Sequence, residues 1–258
     1  MTYANVNGLT MYYEIHGSSG RPLLLLHGNL STIEVDFGRM IPAFAKTRQV
    51  IAIEQQAHGH TADIDRPLRI RSWAEDTAAL LAQLDIGPVD IFGYSSGSAV
   101  AFQLALDHPD LVRKVILGSF SFQLEGLHPQ VLGGIEGLQP EHLAGTPFEE
   151  SYARVAPRPE DWPVLIEKIK EMDRDLPEWS ADTVQAVGKP VMVVIGDSDI
   201  VRPEHAVETF RLLGGGVIGD LTGLPDSRLA VLPGTTHVTL VHRADWLVSM
   251  IEDFIEAS

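Results

Sequence analysis

A serine hydroxyl framed by two glycines stands out in Gly93-Tyr94-Ser95-Ser96-Gly97. The run before it, Val89-Asp90-Ile91-Phe92, is short and rich in β-branched and aromatic residues, as buried strands are. The run after it carries Val100, Ala101 and Leu104 at helical spacing. Joining strand to helix within five residues forces strained backbone on Ser95 and leaves no room for side chains at positions 93 and 97. Such a turn lifts the hydroxyl clear of the sheet edge. It also aims a helix N-terminus, which favours negative charge, at the group under attack. The chemistry this suggests is nucleophilic attack on a carbonyl. A flexible Gly/Ser turn shares the five-residue pattern, and the flanking strand and helix distinguish the two.

A serine hydroxyl attacks only when a base removes its proton, and the base must be held in the right tautomer. Ten histidines compete for that role. His237 follows the last strand-like run, in Leu232-Pro233-Gly234-Thr235-Thr236-His237, whereas His242 falls at the start of a helix, where exposure is expected. For the carboxylate, Gly196-Asp197-Ser198-Asp199-Ile200-Val201-Arg202-Pro203 offers Asp197 and Asp199. Either could instead cap the next helix or pair with Arg202, and Glu125 is a weaker alternative. An oxyanion intermediate needs preorganised N–H donors. The Ser96 amide at the helix start is one, and the Asn29 amide in the turn His27-Gly28-Asn29 is the other.

These residues need elements to hold them. Asn7-Gly8 between two alternating runs predicts an opening β-hairpin. Apolar runs at 22–27, 49–53, 89–94, 112–117, 190–195 and 228–232 read as strands, several of them apolar on both faces as in the centre of a parallel sheet. Helical patterns fall between them, at 40–45, 72–84, 203–213 and 243–255, the second opened by a capping box, Ser72 to Glu75. From 119 to 188 strand-like runs vanish, Pro and Gly recur, and amphipathic pieces appear. The expected fold is α/β: a mostly parallel sheet with helices on both faces, an N-terminal hairpin, and a helical cap at 119–188 inserted in a core of 1–118 and 189–258. Ligands of such sheets bind outside the C-terminal strand ends, where Ser95 falls.

Bulk properties exclude several function classes. A chain of 258 residues can bury a sizeable core. Its formal charge of −16 argues against a nucleic acid or an anionic membrane as partner. The absence of cysteine rules out disulfides and thiolate metal sites. The N-terminus lacks the basic and apolar regions of a signal peptide, so a soluble cytoplasmic protein is expected. Monomer and homodimer stay equally open; the glycine-rich connection at 214–226 could meet a second subunit or be a surface loop.

The His27-Gly28-Asn29 turn, Gly93-Tyr94-Ser95-Ser96-Gly97, the Asp197/Asp199 loop and His237 occur in the order and spacing of the α/β-hydrolase superfamily, which the chain resembles over nearly its whole length. The resemblance implies that the acid lies four residues before the loop proline, at Asp199, and that Asn29 donates to the oxyanion. Epoxide hydrolases and haloalkane dehalogenases of the superfamily use an aspartate nucleophile, and position 95 is serine. What remains is serine chemistry, most commonly carboxylic ester hydrolysis, with Ser95, His237 and Asp199 as the catalytic residues and no metal or organic cofactor.

The expected partner is a small to medium neutral ester in an apolar pocket, with Phe120, Phe122, Leu124, Phe148 and Trp162 as candidate lining residues. Leu132 and Trp179 of the cap and Val238 beside the histidine are further candidates. Carbon–carbon bond hydrolases, perhydrolases and lactonases share the triad, and a non-enzymatic ligand receptor is the alternative of another class. A diketo-acid hydrolase should bring cations to its pocket, and the cap's Arg154, Arg158, Lys168, Lys170 and Arg174 form no obvious set. One stretch departs from the family: Glu54-Gln55-Gln56-Ala57-His58-Gly59-His60 replaces an Asp-x-Arg-Gly-x-Gly-like loop. His58 and His60 lack further ligands for a metal, so a structural loop is expected.

Overall fold

Asn7 and Gly8 both take positive φ, 49° and 83°, and make the tight turn between β1 (Thr2–Val6) and β2 (Leu9–His16). The computed structural model describes residues 2–257, apart from the side chain of Leu132. β3 (Leu23–Leu26) leads to two short helices, α1 (Ile33–Phe37) and α2 (Ile41–Phe44), and then to β4 (Val50–Ile53). α3 (Ile70–Gln83), β5 (Val89–Tyr94), α4 (Ser96–Asp107) and β6 (Val112–Gly118) follow. Residues 119–188 hold α5 (Pro129–Glu136), α6 (Pro147–Val155), α7 (Trp162–Asp173) and α8 (Ala181–Gln185), with no strand among them. The chain closes with β7 (Val191–Ser198), α9 (Pro203–Leu212), α10 (Gly219–Thr222), β8 (Arg228–Thr236) and α11 (Ala244–Glu256).

The eight strands form one sheet in the order β1-β2-β4-β3-β5-β6-β7-β8. β1 and β2 run antiparallel to each other and β2 to β4; every later pairing is parallel. Both faces are covered, which is why the strands carry unbroken apolar runs. Leu24, Leu26, Ile51, Ile53, Val193 and Ile195 point into the core beneath α3 and α4, whereas Leu23, Leu25, Val50, Ala52 and Phe92 point to the side packed by α1, α2 and α11. All four leucines of β3 are fully buried, each contributing roughly 2 kcal/mol of transfer free energy. The α11 stripe Leu247, Ile251, Phe254 and Ile255 closes the second side. Buried side chains of 119–188, among them Ile166, Ile169 and Trp179, are continuous with the first core rather than forming a separate one.

Three local expectations change. α3 starts at Ile70, with Arg69 as its N-cap and no side-chain cap bond, so Ser72 and Glu75 form no capping box. Burying Ile70 and Trp73 on one stripe draws the first turn forward. β7 and β8 run past their apolar stretches to Ser198 and Thr236, joined through a register shift at Gly196/Ser198. The connection at 214–226 contains α10 and exposes Val217, Ile218, Leu221 and Leu224. No helix among the described residues is long and apolar enough to cross a membrane.

Candidate active site

Ser95 sits between β5 and α4 with φ 55° and ψ −124°, a conformation that costs a non-glycine residue about 1–3 kcal/mol. Close packing on every side imposes it. A Cβ at Gly93 would overlap the Gly97 carbonyl, and one at Gly97 would overlap the carbonyls of Leu26 and His27 at the end of β3. The Ser95 N–H donates to the Gly118 carbonyl of β6 at 2.8 Å, and the Ser98 hydroxyl donates to the Ser95 carbonyl at 2.5 Å. The turn is therefore tied to three neighbouring elements.

The last residue of β8 is Thr236, and His237 emerges directly after it. Its Nδ1 lies 3.1 Å from Asp199 Oδ1 and its Nε2 lies 3.1 Å from Ser95 Oγ. An ionised carboxylate only accepts, so Nδ1 carries the proton and Nε2 is free to accept from the serine hydroxyl. Asp199 is buried and also accepts from the Ser119 hydroxyl at 2.6 Å and the Gly196 N–H at 3.2 Å. Burial alone would raise its pKa, but the hydrogen bond and charge of His237, helped by Ser119 and Gly196, hold it below the usual carboxylate range.

Asp197 does a different job. Its carboxylate accepts from the Gly234 and Thr235 N–H groups at 2.9 and 3.1 Å, which also lower its pKa. It thereby braces the end of β8 that presents His237. Among the described residues neither acid caps α9 or pairs with Arg202. Glu125 is exposed on the short turn Leu124–Gly126, and His242 is exposed as well.

Across the site, the turn after β3 is held from both sides of Asn29. The Gly28 N–H donates to Asp36 at 2.9 Å, and the Leu30 N–H donates to His58 Nε2 at 3.0 Å. The Asn29 N–H between them meets no protein acceptor among the described residues. Ser96 is the first residue of α4, so its N–H has no helical partner either. His58 is fully buried, donates from Nδ1 to the Gln56 carbonyl, and is pushed down to about 3 by burial and then by His27. It is a neutral strut, and His60 is engaged with Glu54 at 2.9 Å.

Asn29, Ser95 and Ser96 open onto a cavity of about 120 Å³. Its apolar walls include Phe120, Leu124, Leu127, Val131, Ile135 and Trp179, and its polar ones Ser119, Gln123 and Asp173. Of the expected lining residues, Phe120, Leu124 and Trp179 are there, and Phe122, Phe148, Trp162 and Val238 are not. Phe122 stacks on His205 at 4.3 Å between ring centroids, and Trp162 packs on Tyr152 at 5.1 Å. Phe148 is half-buried against the core, and Val238 is 48% exposed. The amphipathic stretches use those aromatics for their own packing. Leu132 lies outside the described side chains. Asp173 could have been found from the sequence, since it shares a helical face with Ile166 and Ile169 and so places an acid on the apolar stripe.

The superposition on known proteins extends over the whole molecule. A meta-cleavage product hydrolase from Pseudomonas fluorescens IP01 matches 99% of this chain and 97% of its own with a TM-score of 0.80 at 18% identity. A family model described as the alpha/beta hydrolase fold matches residues 21–133. The chain has the α/β-hydrolase fold. Similar proteins include the mouse (Mus musculus) serine hydrolase BPHL, 24% identical over 97% of this chain and 84% of the relative. A pimeloyl-[acyl-carrier protein] methyl ester esterase of Neisseria meningitidis serogroup A is 27% identical over 92% of this chain and 77% of its own.

The atypical loop of this chain has its own solution to the missing arginine. Gln56 stands at that position, and its amide donates to Asp63 and to the Arg66 carbonyl at 2.7 and 2.9 Å while accepting from Arg66 Nε at 2.8 Å. Arg66 in turn pairs with the buried Asp76 at 2.5 Å. The guanidinium arrives from ten residues downstream. Ala57 takes the pattern's first glycine position with φ 67°.

Proposed function

We propose that this α/β hydrolase is a serine esterase that cleaves carboxylic esters through an acyl-enzyme. The observation that carries this reading is the continuous relay Ser95 Oγ, His237 Nε2 and Nδ1, and Asp199 Oδ1, each step 3.1 Å, at the mouth of an apolar cavity. Ser95 Oγ attacks the ester carbonyl while its proton passes to His237 Nε2. Asp199 stays ionised and stabilises the imidazolium. The carbonyl oxygen becomes an oxyanion held by the Asn29 and Ser96 N–H groups, each such donor contributing about 10²–10³ in rate. Collapse breaks the bond to the alcohol oxygen, which takes the proton from His237. Water then gives a proton to His237 and attacks the acyl-enzyme, releasing the acid and restoring Ser95.

The walls of the cavity favour a substrate of small to medium size with an apolar body. Among the described residues no arginine or lysine lines it and one carboxyl does, which disfavours diketo acids and other carboxylate-bearing substrates. Lactones use the same steps, and an intact relay is more than a non-enzymatic receptor needs. Turnover of short-chain nitrophenyl esters by the wild-type protein and its loss in Ser95→Ala test the proposal. Equal turnover by both proteins would overturn it.

A further inference from the structure

Asp173 closes α7 and reaches into the cavity, with only 9% of its surface exposed. Burying a carboxylate without a countercharge is costly, and the C-terminal end of a helix adds to the cost because its dipole is negative there. Its one hydrogen bond among the described residues is a long one, 3.4 Å from Asn29 Nδ2. The two nearest cations in sequence are engaged elsewhere, Lys170 with Glu167 at 2.7 Å and Arg174 with Glu136 at 2.6 Å. Burial pushes Asp173 up to about 7, against the weaker pull of Asn29. Beside it, Asn29 Oδ1 is buried with no hydrogen-bond partner among the described residues. Both residues line a cavity that, among the described residues, has no arginine or lysine in its walls.

We propose that Asp173 and Asn29 Oδ1 form a subsite for a cationic hydrogen-bond donor on the substrate, a primary ammonium, so that the preferred esters carry an amine at the end of an apolar chain. This rests on the esterase reading and narrows its substrate class. An ammonium supplies the missing countercharge to Asp173 and the missing donor to Asn29. Its apolar chain fits the Val131, Ile135 and Leu124 wall. The competing role for Asp173 is purely structural: to hold the Asn29 side chain and, through it, the oxyanion N–H.

The test uses esters of graded chain length, phenyl esters or alkyl acetates, that end either in an ammonium or in an isosteric methyl group. One series places the ammonium on the acyl side. The other places it on the alcohol side, using alkyl acetates. The wild-type protein is expected to prefer the ammonium ester by about ten- to a hundredfold in kcat/KM in one of the series, as a buried charge-assisted bond gives. Asp173→Asn is expected to bring that ratio to about one or below. Ser95-dependent hydrolysis of methyl-ended esters with no ammonium preference in either series would overturn the subsite and leave the esterase standing. An Asp173→Asn variant that lowers kcat for both kinds of ester equally, with the ratio intact, would assign Asp173 to positioning Asn29 and overturn it too. Failure of Ser95-dependent hydrolysis with every ester would instead overturn the esterase reading and the subsite with it.

Discussion

The Tyr94 hydroxyl donates to the His237 carbonyl at 2.7 Å, and its ring stacks on the imidazole with 5.2 Å between centroids. The residue preceding the nucleophile therefore holds the base, which comes from 143 positions later in the chain. Tyr94→Phe keeps the stack and removes one hydrogen bond, worth about 1 kcal/mol. Its kcat/KM is expected to fall about fivefold with the fold unchanged, read by ester kinetics alongside circular dichroism. An unchanged kcat/KM would mean that the stack alone positions His237.

Asp199 and Asp197 sit two residues apart and separate cleanly by partner. Asp199→Asn presents an amide to His237, favours the wrong tautomer and is expected to lower kcat by up to about 10⁴. Asp197→Asn weakens the brace on Gly234 and Thr235 and is expected to cost far less. Steady-state kinetics of both variants check the order. A larger loss from Asp197→Asn would reverse the assignment.

His58 gives the protein an acid-sensitive strut beside Asn29. Its folded pKa is near 3, whereas the unfolded side chain titrates near 6.5. Between those values the unfolded state binds a proton that the folded state does not, so stability falls as pH falls through this window, by up to about 1.4 kcal/mol per pH unit. Asp36 and Asp173, raised by burial, act with the opposite sign, so the comparison with His58→Gln isolates the effect. Urea unfolding is expected to show the stability gap between wild type and variant narrowing by about 2 kcal/mol from pH 7 to pH 5. A constant gap would contradict it.

The cavity walls make a paired prediction. Val131→Phe is expected to shorten the longest acyl chain hydrolysed, because Val131 lines the cavity. Trp162→Ala removes a buried ring that packs on Tyr152 instead. It is expected to cost about 3–5 kcal/mol of stability and leave the chain-length profile in place. A panel of graded esters and a thermal melt read the two effects.

Much of the fold was legible because local and global requirements coincide. Asn7-Gly8 can only be a tight turn, β3 and β4 are apolar on both faces because both are covered, and Gly93 and Gly97 are glycine because neighbouring carbonyls leave no space. The relative placement of Ser95, Asp199 and His237 followed from one rule, that each ends a strand of the same parallel sheet. The pocket was less legible. A helix that packs on a sheet and a helix that lines a cavity show the same apolar period, so nothing local separates Trp162 from Trp179. The Gln56–Arg66–Asp76 network was hidden for another reason: it replaces one missing side chain with three, the farthest 20 positions from Gln56, joined only by folding. The capping box at Ser72 failed because burial of Ile70 outweighed a cap worth about 1 kcal/mol.

The central claim is that Ser95 is an activated nucleophile. Incubating the native protein with a fluorophosphonate and locating the adduct by peptide mass spectrometry tests it most directly. The expected result is rapid, stoichiometric phosphonylation of Ser95 alone, abolished in Ser95→Ala and strongly slowed in a His237→Ala variant that keeps its fold. Folded wild-type protein that stays unlabelled, or is labelled equally fast without His237, would contradict it.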